Sequence, residues 1–255
     1  MRMLGRNRPV ARGRALRLKN YLMRGYPTPP ASIDWTPLAQ ASIEQMYLND
    51  QLGDCVIAWG AHMEGILTGN SSGTPIIYTD AQIERQYAAI GGYKGTAATD
   101  NGCDEVTALN YWDENGFAGG TKISGWIRVD ATDPIEVRAA IYLFGSVTFG
   151  IELPDTLAAG IDALVNGFTW DVAGPPNPEN GHCFGGGGYE PGRIKIVEWG
   201  MTGWMTDAAV AMYASTAGAG ELYTVLSTDW MINATAKAPN GFNWTQLLSD
   251  LASMA

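Results

Sequence analysis

Four consecutive glycines, Gly185 to Gly188, sit inside a stretch that otherwise reads as a β-strand, His182-Cys183-Phe184 before them and Tyr189 after. A turn at Glu190–Gly192 and the alternating segment Arg193 to Gly200 complete a β-hairpin pattern. Glycine weakens a strand because it has no side chain to pack and loses the most freedom on ordering. A glycine run survives there only if another element must press closely on that strand. Something is therefore expected to approach this strand closely. The 32 glycines and nine tryptophans among 255 residues fit many tight backbone approaches and aromatic packing sites.

The rest of the chain supplies helices first. A helical pattern spans roughly 37–47, and a second apolar helix runs from Cys55 to about Thr68, followed by a loop from Asn70 to Gly73. Thr79 and Gln82 have capping-box spacing ahead of a third helix. A fourth fits 103–115 and stops at Gly116. The period then changes. Residues 121–129 alternate in part like a strand, and Asp133-Pro134 marks a helix start with aspartate as N-cap and proline first inside. That helix continues to Gly145, and the strand after it ends at Pro154. Residues 171–181 form a Pro/Asn/Gly loop. A helix from Thr206, a strand over 221–227 and a final helix from Asn243 follow. Helices followed by a strand-rich half indicate an α+β fold. The length suffices for one well-buried core or two small ones.

Charge is segregated. The chain has 26 acidic and 16 basic residues, a formal net charge of −10. Residues 1–24 hold eight bases (Arg2, Arg6, Arg8, Arg12, Arg14, Arg17, Lys19, Arg24) and no acid, so the remainder stands at −18. The expected organisation is a basic arm over 1–24, a linker over 25–36 with Pro27, Pro29 and Pro30 and an anchoring Trp35, and one domain over 37–255. The arm suits acidic neighbouring subunits in a homo- or hetero-oligomer; nucleic-acid contact by the arm is the weaker alternative, since the acidic body repels it. No run of eighteen apolar residues indicates a membrane helix, and the N-terminus lacks the apolar core of a secretory signal. Three cysteines make no disulfide framework and fit a reducing compartment, so the expected location is cytoplasmic. Two histidines exclude a His-rich metal site, and the glycine run lacks the Gly-Lys-Ser/Thr ending of a phosphate loop. No cofactor is expected.

Cys55 carries the sharpest chemical signal. It follows Gly53 and Asp54 at a loop-to-helix junction. A thiol there meets orphan backbone N–H groups and the positive end of the helix dipole, both of which favour thiolate. The same N–H groups can hold an oxyanion, and an imidazole such as His182 would complete an acid–base pair. The competing reading is a small buried hydrophobe. Cys183 should face away from His182 across the strand. His62 lies nearly two turns along from Cys55, about 10 Å at 1.5 Å per residue, too far for proton transfer. Cys103 near a helix start reads as structural.

The segment Asn49-Asp50-Gln51-Leu52-Gly53-Asp54-Cys55-Val56-Ile57-Ala58-Trp59 resembles the nucleophile segment of papain-like cysteine peptidases. His182 to Tyr189 resembles their histidine strand. Ile194 to Gly200 resembles the next strand with its Trp-Gly turn, echoed by Gly203-Trp204. The resemblance covers roughly 35–215 and is similar to a bacterial and bacteriophage subgroup with an Asn…Leu-Gly-Asp-Cys motif. It implies a papain-like α+β fold, helical in its N-terminal half with an antiparallel sheet in its C-terminal half, and acyl transfer from a peptide or amide by Cys55 with His182. It places the oxyanion-hole amide at Asn49, with Gln51 as a rival. The family's histidine-orienting asparagine is missing. Alignment on Trp199 puts Val197 there, whereas counting from His182 puts Glu198. Glu198 as orienting carboxylate, or Glu198 turned to solvent with a Cys–His dyad or an inactive site, both stay open. Asp171 is a further acidic candidate better read as a turn cap. The alternative to catalysis is a capsid- or tail-associated assembly protein of a bacteriophage particle that keeps the fold, works through its arm and resides in the virion.

Overall fold

A computed structural model describes residues 2–8, 16–20, 28–118, 122–227, 230, 249, 252 and 253. Among these residues the helices are α1 (Gln40–Ile43), α2 (Cys55–Ser72), α3 (Asp80–Gly91), α4 (Glu105–Asn115), α5 (Pro134–Phe144), α6 (Asp155–Ala158) and α7 (Asp207–Tyr213). The strands are β1 (Ile33–Asp34), β2 (Ile123–Arg128), β3 (Val147–Glu152), β4 (Thr169–Trp170), β5 (Gly181–Glu190), β6 (Arg193–Glu198), β7 (Met201–Thr206) and β8 (Glu221–Ser227). They form one sheet in the order β2-β8-β3-β5-β6-β7-β4, with β1 pairing β5. The pairs are antiparallel except β4–β7, which is parallel. The expected α+β architecture is present. No helix among the described residues is long and apolar enough to cross a membrane.

Local chemistry accounts for most element ends. Asp133 accepts from the N–H groups of Ile135 and Glu136 with Pro134 first in α5, and Gly145 closes that helix in the left-handed conformation. Asp104 caps α4, and Gln82 reaches back to the Thr79 N–H at the start of α3 (3.0 Å). Two expectations need correction. The helix over 37–47 is a 3₁₀ turn at Pro37–Ala39 and the single turn of α1, because Tyr47 and Leu48 take left-handed backbone angles. The loop over 70–73 is instead the last turn of α2: Asn70 donates back to the Ile66 carbonyl (2.8 Å), and only Gly73 leaves the helix. The expected helix from Asn243 lies largely outside the described residues.

The glycine run has its explanation in α2. Every residue from Cys55 to Gly69 is buried, so α2 is a central helix with no solvent face in that stretch. It lies across β5. A methyl at Gly185 would overlap the Trp59 indole, and one at Gly187 would meet Ile66 Cδ1 at 3.0 Å. Gly188 faces the β1 backbone, where a Cβ would lie 2.8 Å from Ile33 O. Absence of side chains over four residues lets α2 and β1 both seat on one strand. Phe149, Trp170 and Phe184 fill the sheet beside them and are fully buried.

The described part of the basic arm lies on its own chain. Arg6 pairs as a bridge with Cys103, and Arg17 with Arg128. Leu18 is fully buried. Arg8 Nε is 2.7 Å from Glu152 Oε1, and the Arg2 N–H donates to Asp162 Oδ1 at 2.8 Å. Carboxylates of the acidic body thus pair with the charges of Arg6 and Arg8. Arg12, Arg14 and Arg24 lie outside the described residues.

Candidate active site

Cys55 is the first residue of α2 and His182 the second of β5, so the contact of α2 with the glycine strand brings thiol and imidazole together. The approach that needs Gly185 bare is the same one that sets their separation. Both residues are buried, at 1% and 0% exposure. His182 Nε2 is hydrogen-bonded to Glu198 Oε1. That leaves Nδ1 on the side of the sulfur, where it is buried and makes no hydrogen bond of ordinary geometry. Burial pushes the imidazole down. The Glu198 charge and, after it, the neighbouring Cys55 override burial and lift His182 to about 9. Burial also pushes the Glu198 carboxyl up, opposed by the imidazole.

Glu198, and not Val197, is therefore the residue hydrogen-bonded to the histidine. Alternation along β6 fails at its end: Val197 and Glu198 are both buried, and Trp199 then turns with a φ of 45°. That turn lays the Trp199 indole parallel to the imidazole, with ring centroids 4.6 Å apart and 14° between planes. Trp199 and Glu198 together fix the ring on one face and one edge.

The loop before Cys55 is held from an unexpected side. Gly53 N–H donates to both oxygens of Asp100 (3.0 and 3.1 Å). The Tyr87 hydroxyl donates to Asp100 Oδ1 (2.6 Å) and accepts from Gly102 N–H (2.8 Å). Asp100 and Tyr87 were invisible as site residues in the sequence, since neither stands at a fixed spacing from Cys55. Asp54 occupies the N-cap position but makes no side-chain cap. Its buried carboxyl accepts from Asn49 Nδ2 (3.3 Å) and is raised well above the usual carboxylate range, chiefly by burial. Burial thus favours a neutral neighbour for the sulfur.

The oxyanion candidates differ in placement. Asn49 is buried and lines a cavity of about 10 Å³ with Cys55, Trp59, Glu198 and Trp199. Gln51 is exposed, and its amide donates to Asp50 Oδ1 at 3.4 Å. Cys183 turns to the opposite side and donates to Glu105 Oε1 (3.2 Å). His62 Nδ1 lies 3.1 Å from the Ser42 carbonyl, and burial lowers its imidazole to about 4. Asp171 accepts from Thr206 Oγ1 (2.6 Å) and its neighbour's Val172 N–H (2.8 Å), away from the site.

Residues 3–7 cross this site. Met3 N–H donates to Asn49 O (3.0 Å) and Arg6 N–H to Gly181 O (3.1 Å). Gly5 O accepts from Cys103 N–H, and Asn7 N–H donates to Cys103 O, both at 3.0 Å. Over the Trp199 ring lies the Arg2 guanidinium, 5.6 Å from its centroid. The cavity at Cys55 is at the lower limit of room for one water.

No protein-family model and no curated protein sequence matches the chain. Solved structures do. Xylellain, a cysteine protease from Xylella fastidiosa, is 13% identical with a TM-score of 0.60, over 89% of this chain and 98% of that one. Digestive procathepsin L 3 of Tenebrio molitor larval midgut is 15% identical with a TM-score of 0.58, over 86% and 76%. The cysteine protease and lectin-like domains of Cwp84, a surface layer associated protein of Clostridium difficile, are 14% identical with a TM-score of 0.57, over 80% and 53%. These likenesses show the fold: the chain has the papain-like cysteine protease fold.

Proposed function

We propose that the protein is a cysteine peptidase or amide hydrolase that works through an acyl-enzyme on Cys55. The observation that carries this reading is the buried constellation of Cys55, His182 and Glu198, with His182 Nε2 hydrogen-bonded to Glu198 and Cys55 among the groups that raise the imidazole. Glu198 holds Nε2 and stabilises the imidazolium, so Nδ1 keeps its proton while sulfur bears negative charge. The thiolate adds to the substrate carbonyl carbon, forming a C–S bond and an oxyanion. The N-terminus of α2 faces that oxygen, and the Asn49 amide joins it on turning from Asp54. Collapse breaks the C–N bond as Nδ1 gives its proton to the leaving amine. Water then adds to the thioester carbonyl with Nδ1 taking its proton, the C–S bond breaks, and the acid leaves.

The test is alkylation followed by peptide mass mapping. Iodoacetamide at neutral pH should label Cys55 ahead of Cys103 and Cys183, and His182→Ala should slow that labelling at least tenfold. Equal labelling of the three thiols, or no effect of His182→Ala, removes the enzyme reading. A second reading rests on closure of the site: Cys55 and His182 have almost no exposure. In it the fold is a non-catalytic assembly part, as in a bacteriophage particle, and the basic segment contacts other subunits. A Cys55 inert to alkylation in a stable oligomer would favour it.

A further inference from the structure

A second cleft, of about 200 Å³, opens at the end of β2. In the sheet β2 is an edge strand, three strands from the β5 that carries His182. No residue lining this cleft also lines the cavity at Cys55. Its walls come from three segments far apart in sequence: residues 17 and 19 of the basic arm, residues 128–136 between β2 and α5, and residues 214–217 after α7. The arm segment is anchored beside it, because Leu16 O accepts from Arg128 N–H (2.9 Å) and Leu18 is fully buried.

Three cations, Arg17, Lys19 and Arg128, face this one space with two acids, Asp130 and Glu136. Arginine and lysine side chains only donate, so the cleft calls for an acceptor. The groups at hand supply little. Arg128 Nη2 donates to Thr216 Oγ1 (2.6 Å). Asp130 Oδ1 accepts from Thr132 N–H (3.0 Å) and Thr132 Oγ1 (2.7 Å), and the buried Glu136 accepts from Asp130 N–H (3.0 Å). Among the described residues, the Arg17 and Lys19 side chains have no hydrogen-bond or ion-pair partner. Arg2, Arg6 and Arg8 of the same arm all find oxygen partners on the body. Yet Arg17 and Lys19 are close enough to Asp130 for their charges to add to the Thr132 hydrogen bonds that hold its carboxyl below the usual range. Cations that feel an acid without touching it leave room between them for oxygens from elsewhere.

We propose that this cleft binds a phosphate dianion, free or as the ester of a small molecule, between Arg17, Lys19 and Arg128. Two guanidinium forks match the oxygens of a phosphate through paired hydrogen bonds, and an ammonium adds a point charge. A dianion offsets the cations in the presence of Asp130 better than a single carboxylate does. A nucleic acid suits the place less well, since the acidic body around it repels a long polyanion. The cleft goes beyond the peptidase reading and does not rest on it.

The test is isothermal titration calorimetry of the full-length chain at low salt, with glycerol 3-phosphate, inorganic phosphate and lactate as probes. Glycerol 3-phosphate or inorganic phosphate should bind at least tenfold tighter than lactate. The tighter of the two identifies an ester or free phosphate as the occupant. Arg17→Gln with Lys19→Gln should weaken that binding at least tenfold; both side chains are exposed, so the fold should survive. Arg128→Gln should weaken it too. Arg85→Gln, which removes an exposed cation on α3, should leave it unchanged. Phosphate binding no tighter than lactate, affinity unchanged in the double variant, or an equal loss in Arg85→Gln would overturn the site. So would an oligothymidylate binding tenfold tighter than both phosphate probes, which would make the patch a nucleic-acid surface. Alkylation of Cys55 reads the peptidase proposal separately, so either can fail alone.

Discussion

Replacing Glu198 by glutamine should change how stability depends on pH. His182 is lifted from its ordinary 6.5 to about 9, against burial and chiefly by the Glu198 charge. Between those values the folded protein binds a proton that the unfolded chain does not, so stability falls as pH rises through this window. The contribution is fully present below pH 6.5 and is lost once pH passes about 9. At 1.36 kcal/mol per pKa unit the loss amounts to roughly 3 kcal/mol. Glu198→Gln keeps the shape of the carboxylate and removes the charge, after which burial drives His182 toward the neutral form. Urea denaturation at steps from pH 6 to 10 would measure it. Other groups titrate in this range, so the quantity to read is the wild-type curve minus the variant curve. The difference should shrink with rising pH by most of that amount. Two curves with the same slope would refute the idea that Glu198 holds His182 protonated.

Two further substitutions test the frame that carries the site. Gly185→Ala puts a methyl into the buried Trp59 indole and should destabilise by about 1–3 kcal/mol, measured by urea denaturation; a neutral result would mean that α2 does not need that approach. Asp133→Ala removes the α5 cap that accepts from two N–H groups and should cost about 1 kcal/mol, read as a lower urea midpoint with an unchanged slope.

Legibility in the sequence followed the range of each interaction. Helix ends written in adjacent residues were readable: Asp133-Pro134, Thr79 with Gln82, and Gly116 and Gly145 all act within one turn. The hairpin of β5 and β6 was readable too, since alternation and a Gly turn are local. The strand β7 was missed because Met201–Thr206 mixes glycine and tryptophan with no clean alternation; its pairing with β6 defines it. The helix expected over 37–47 was cut short by left-handed residues that no propensity marks.

At the site, Cys55 and His182 were legible as residue types in order, but their meeting was not. The choice between Val197 and Glu198 turned on where β6 stops alternating, which the Trp199 turn decides. Asp100 and Tyr87 hold the Gly53 loop, Asp100 from 47 positions away in sequence. A basic N-terminal segment suggested outside partners, whereas three of its arginines find carboxylates or carbonyls of their own chain.

By itself, then, the sequence determined the α+β class, the element ends set by caps and turns, and the presence of a thiol at a helix start together with a distant imidazole. Those are properties of neighbouring residues and of residue type. Tertiary structure alone decided that the glycine run is bare because Trp59 and Ile66 rest on it, that Glu198 is hydrogen-bonded to His182, and that Arg6 is buried between Glu105 and Glu221. Each of these depends on which distant segments share a buried volume, where an unpaired charge or a single extra methyl is costly, and no local pattern encodes that.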